Sequence, residues 1–134
     1  MAETPVTIEL GGQKFLRTSD MIVRTLHSSS EAIPAGKALH DETNTDYVVP
    51  ALKVFKILEV TVYCGYTVPY TAWLMDSATA DVNTGTQVLF WMAPNTAGIT
   101  INVDIDIATT RYLNQVGAST TKNHIIITGI EMDA

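Results

Sequence analysis

Ile99-Thr100-Ile101-Asn102-Val103-Asp104-Ile105-Asp106-Ile107 decides how the chain folds. Ile99, Ile101, Val103, Ile105 and Ile107 take alternate positions, and Thr100, Asn102, Asp104 and Asp106 fill the gaps. Successive side chains of a strand point to opposite faces, so the run offers one β-branched face to a core and one polar face to water. A helix would scatter the same apolar groups around its circumference. Burial on one side is the mark of an antiparallel sheet.

Outward from this run, further strand patterns are separated by turn chemistry. Before it, Pro94-Asn95-Thr96-Ala97-Gly98 reads as a turn, Gln87 to Met92 and Tyr70 to Met75 as strands, and Asp76 to Gly85 as a loop. In Gln87 to Met92, Val88, Phe90 and Met92 form the regular apolar face, opposite Leu89 and Trp91. Leu52 to Cys64 is the longest candidate, a central strand covered on both sides. There Leu52, Val54, Leu58, Val60, Val62 and Cys64 share a face that only Lys56 interrupts. Gly65 and Pro69 close it. After the deciding run, Ala108 to Val116 is ambiguous: Tyr112, Leu113 and Val116 fit helical spacing, whereas Thr109-Thr110 favours an extended start. Ile125 to Met132 is the closing strand, with Ile126, Ile130 and Met132 on one face and Ile125 and Ile127 on the other.

Towards the N-terminus the pattern weakens. Thr4 to Leu10 alternates and ends at Gly11-Gly12, and Gln13 to Arg17 and Asp20 to Leu26 are short runs with mixed faces. Such strands suit a sheet edge or a subunit contact. The expected division is an N-terminal arm or pair of edge strands over 1–30 and a β-sandwich domain over 31–134. About eight strands without a long helix describe an all-β, single-domain antiparallel sandwich. A jelly roll is the preferred topology because long irregular connections suit it, with an immunoglobulin-like sandwich as the alternative.

Composition limits the function. The chain has 134 residues, enough for one domain that buries roughly two-thirds of its unfolded surface. Charged residues make up 16%, below the average of about 25%, so much of the surface is neutral and suited to cover by a partner or by further copies. Net charge is −6 with a pI near 4.8, and the eight basic residues are dispersed, which argues against direct nucleic-acid binding and against a basic membrane-surface patch. The lone Cys64 excludes an intrachain disulfide and reads as a small buried hydrophobe. The start, Met-Ala-Glu-Thr-Pro, has no signal-peptide pattern, and no apolar stretch is long enough for a membrane-spanning helix, so synthesis in a cytoplasm without export is expected.

Candidate chemistry is sparse. His27, His40 and His124 show no paired metal spacing, and His40-Asp41-Glu42, the densest ligand-like cluster, reads better as a solvated turn. Asp104 and Asp106 lie roughly 7 Å apart by strand rise; a calcium site there needs oxygen ligands from elsewhere. Ser28-Ser29-Ser30 lacks a nucleophile-elbow context, and Glu59 reads as half of an ion pair with Lys56 or Lys53. No catalytic residue, metal site or cofactor is expected, and the chain reads as a non-enzyme. The candidate binding residues are aromatic: Trp73, Trp91, Tyr63 and Tyr70, able to serve a protein interface or stack on a glycan, with core packing as their competing role.

The turn Ile33-Pro34-Ala35-Gly36-Lys37, a second turn Val49-Pro50-Ala51 entering the strand Val54 to Tyr63, and the terminal Ile125-Ile126-Ile127-Thr128-Gly129-Ile130-Glu131-Met132 together resemble small all-β virion proteins. The chain is similar in style, over residues 32–134, to head decoration (cement) proteins of tailed bacteriophages and to head domains of phage receptor-binding proteins. The first resemblance implies a homotrimer over local threefold axes of an icosahedral shell, clamping neighbouring major capsid protein subunits, made in the host cytoplasm and found on the virion. The second implies a tail or fibre module that recognises a host surface glycan.

Overall fold

The computed structural model describes residues 6–65, 70–92 and 98–134. Ten strands and no helix make up the described residues: β1 (Thr7–Leu10), β2 (Gln13–Leu16), β3 (Ile22–His27), β4 (Lys37–Ala38), β5 (Lys53–Cys64), β6 (Thr71–Ser77), β7 (Thr86–Met92), β8 (Gly98–Ile107), β9 (Tyr112–Gly117) and β10 (Asn123–Asp133). Eight of them form two four-stranded sheets, ordered β3-β10-β5-β8 and β4-β9-β6-β7, and every strand pairing is antiparallel. From β3 to β10 the chain crosses repeatedly between the sheets, and the last strand inserts between β3 and β5. This is the eight-stranded jelly roll. The strands β1 and β2 form a separate hairpin, whereas β3 is an edge strand of the first sheet.

Inward-facing residues of both sheets meet in one core, with Phe55, Ile57, Val60, Val62, Ile125 and Ile127 from the first and Ala72, Leu74, Trp91 and Leu113 from the second. One open reading is resolved and three expectations need correction. The ambiguous segment Ala108 to Val116 is extended: residues 109–110 form a turn and Tyr112–Gly117 is β9. There Leu113 and Val116 are buried as strand residues, so their helical spacing was coincidental.

The facing of β5 also changes along its length. Its register to both neighbours shifts at Leu58, between Ile57 and Glu59. Phe55 and Ile57 therefore face the core together with Val60 and Val62, and Lys56 points outward with Glu59, Thr61 and Tyr63. A bulge inserts one residue and exchanges the faces, which uniform alternation does not anticipate. Leu58 is fully buried but lies outside the inter-sheet core.

The β1–β2 hairpin covers it. Gly11, at φ +61°, turns the hairpin directly over β5, where a Cβ would lie 2.4 Å from the Leu58 carbonyl oxygen. Only glycine takes this left-handed conformation without strain and leaves room for the approach. The Gly11 N–H donates to Glu59 Oε1 (3.1 Å) and Gln13 Nε2 to Asp104 Oδ2 (3.2 Å), tying the hairpin to the outer face of the first sheet.

The second and third corrections concern β7 and the deciding run itself. Trp91 faces the core, while Phe90 and Met92, expected on the apolar face, are exposed. In β8 the odd-numbered residues do face inward, opposite Val60, Val62, Ile57 and Phe55, but β8 is an edge strand and only Ile107 is fully buried.

Candidate functional site

The two long sides of the sandwich differ. On one side, His27 and His40 exchange backbone hydrogen bonds of 2.9 Å, linking the end of β3 to the segment after β4. On the other, β7 and β8 are the outermost strands of their sheets, and among the described residues the ladder of β8 reaches β5 alone and that of β7 reaches β6 alone. Apolar side chains are exposed along this open side, as Ile22 and Val23 are on β3. Phe90 and Met92 on β7 are 58% and 57% exposed, and Ile99 and Ile101 on β8 are 41% and 45% exposed although their side chains continue the core face. Residues Val88, Leu89, Val103 and Ile105 behind them are half-buried against the core. A long, bare, apolar edge strand is a template for another strand.

Charge is arranged along the same edge. Lys56 Nζ lies 2.7 Å from Asp104 Oδ1 and 2.9 Å from Asp106 Oδ1. The two carboxylates considered for calcium thus share a resident ammonium. Hydrogen bonding from Lys56 and then Gln13 holds Asp104 below the usual carboxylate range. The other half of the outward face of β8 is neutral, with Thr100 Oγ1 2.8 Å from Thr61 Oγ1.

The expected aromatic residues do not converge. Trp91 is a core residue. Trp73 is half-buried on the outer face of the second sheet and stacks with Phe90 at 6.5 Å between ring centroids. Tyr63 is exposed on the outer face of the first sheet, stacked on His124 at 4.9 Å. Tyr70 is exposed just before β6, and its carbonyl accepts a hydrogen bond from Asn123 Nδ2 (2.7 Å). Two outward patches, Trp73 with Phe90 and Tyr63 with His124, therefore occupy different sheets.

The polar clusters have structural partners. In His40-Asp41-Glu42, Asp41 Oδ1 accepts from the Thr43 N–H (2.8 Å) and Thr43 Oγ1 (2.6 Å), which holds its carboxyl low. Glu42 accepts from the Thr25 N–H (2.8 Å) and pairs with Arg24 (3.3 Å). His40 Nε2 lies 3.1 Å from Asp46. Glu131, which attracted no attention in the sequence, is buried, accepting from Tyr47 Oη (2.8 Å) and Arg24 Nε (3.2 Å). Its inward position on a strand of isoleucines was the one available signal. No group of three or more His, Cys, Asp or Glu residues suited to a metal ion occurs among the described residues.

Fold and edges together define a jelly-roll domain joined at His27–His40 on one side and, among the described residues, unjoined along β7 and β8 on the other. No family model matches the chain. No curated protein matches its sequence either. Among solved structures it is similar to the coat protein of Tobacco streak virus, with 10% identity and a TM-score of 0.47 over 87% of this chain and 88% of that one. A likeness of that size identifies neither a family nor an activity.

Proposed function

We propose that the protein is a non-enzymatic structural component of a virion, a decoration or cement protein that works in several copies on the outside of an icosahedral head. The bare β7–β8 edge carries this reading. A domain that exposes Phe90, Met92, Ile99 and Ile101 along one side is built to be covered. The low charge fraction points the same way, and many of the charged side chains are engaged with one another, as in Lys56 with Asp104 and Asp106, Arg111 with Asp76, and Lys53 with Asp133. Residues 1–30, comprising the hairpin and edge strand β3, act as the arm that engages the major capsid protein or an adjacent copy, and residues 31–134 supply the rest of the sandwich. The resemblance to decoration proteins implies that the copies also associate with one another.

Co-sedimentation of the purified chain with heads assembled from the major capsid protein of the same virus tests the proposal. Saturable, stoichiometric binding is expected, lost on deletion of residues 1–12. Heads that remain bare at all concentrations sink it; full binding by the deletion variant sinks the role of the arm. A second reading, recognition of a surface glycan, is favoured by the Trp73–Phe90 ring pair, since an outward aromatic pair offers a stacking platform. Glycan-array binding abolished by Trp73→Ala, in a chain that keeps its fold, would favour that alternative.

A further inference from the structure

We infer that β8 pairs with β8 of a second copy, antiparallel and in the register that sets Val103 opposite the partner copy's Val103, so that two four-stranded sheets join into one of eight strands. This names a partner for the edge on which the proposed function rests.

Availability comes first. Both edge strands of the first sheet are paired on one side, but β3 runs six residues and is joined to the segment after β4 at His27 and His40, whereas β8 runs ten and pairs with β5 alone among the described residues. Ile99 and Ile101 lie exposed on the face that continues the core.

Charge and pattern then choose the partner. The outward face of β8 has a neutral half, Thr100 and Asn102, and an acidic half, Asp104 and Asp106. A parallel, in-register pair would set each aspartate against its own copy, and like charges directly opposite are destabilising. An antiparallel pair centred on Val103 sets Asp104 opposite Asn102 and Asp106 opposite Thr100. Each carboxylate then faces a side chain able to donate a hydrogen bond. On the other face the same register sets Ile99 opposite Ile107 and Ile101 opposite Ile105. Apolar meets apolar at every inward position, and the nine-residue run is complementary to its own reverse. Pairing of this kind is isologous and closes at two copies.

Sedimentation across a concentration series, with cross-linking of two cysteine variants, tests the pairing. The chain is expected to be dimeric, and Ile101→Lys to weaken the dimer by at least about tenfold. Under mild oxidation Val103→Cys should link two copies, because its position faces itself across the axis. Thr100→Cys, which would face Asp106 of the second copy, should not. The native Cys64 is buried and does not compete. A monomer at every concentration, a trimer, an undiminished Ile101→Lys dimer, or linkage through Thr100→Cys in place of Val103→Cys would overturn the inference. The cysteine pair decides if Ile101→Lys fails to fold. Head binding is read separately: a chain that decorates heads without dimerising refutes this pairing alone, and a dimer that leaves heads bare refutes decoration alone.

Discussion

Tryptophan side chains of similar size perform different work at positions 73 and 91. Trp91 fills the space between the sheets, so Trp91→Ala should cost about 3–5 kcal/mol of unfolding free energy. Trp73 stands half-buried on an outer face, and its truncation should cost about half as much or less, read by urea denaturation of both variants. Glu131 is the polar counterpart. Its removal strands Tyr47 Oη and one side of Arg24, and because Arg24 is partly exposed the loss should fall near the low end of the range for broken buried pairs, about 3 kcal/mol. Burial, reinforced by the hydrogen bond to Glu131, raises the Tyr47 phenol well above its ordinary value and keeps it a donor at every accessible pH. Acid acts at two levels. Burial lowers His124, so the unfolded chain takes up that proton first, and stability present above about pH 6.5 declines as the pH falls below it. Asp41 is held low by Thr43, Asp104 by Lys56 and Asp20 by Thr18; depressed carboxylates contribute stability above about pH 4 that is lost as the pH falls through their folded values. Thermal melting against pH should show a shallow decline starting near neutrality and a steep one in acid, and His124→Gln should remove the shallow part.

Strands were legible where alternation is one-sided and misread where geometry intervenes. Alternation rightly grouped Ile125 with Ile127, which face the core while Ile126 is exposed, but beyond the register shift at Thr128/Gly129 it set the buried Ile130 with exposed Ile126. In β5 one inserted residue exchanged the faces, and the sole trace of it in the sequence was Lys56 in the middle of an apolar row. Periodicity also gave β8 its faces without revealing its place at an edge, because strand order is a property of distant pairings. The aromatic candidates suffered in the same way: Trp91 and Phe90 exchanged roles once β7 was placed against β6. The β5 bulge leads to a prediction at this scale. Gly129 lies opposite Ile57 beside the register shift, and a Cβ there would meet the Lys56 carbonyl oxygen at 2.2 Å and the Phe55 ring at 2.7 Å. Gly129→Ala should destabilise by about 1–3 kcal/mol or more, since both neighbours are held by the sheet and the core. A melting temperature unchanged from the parent would contradict that packing.

For the molecule as a whole, the order in which the chain is made differs from the order in which its first sheet is assembled. The last of the described strands, β10, stands between β3 and β5, with Lys53 opposite Asp133 and Ile22 opposite Glu131. Until residues 123–133 leave the ribosome, two strands synthesised long before have no common neighbour. The nascent chain carries the β3 edge and one edge of β5 unpaired until then, and contacts this distant in sequence form slowly. A chain ended at residue 120 should be disordered and degraded by protease at concentrations the full chain survives. Between emergence and closure the open edges are exposed to chaperones and quality-control proteases, so slowing closure should lower the yield of folded chain.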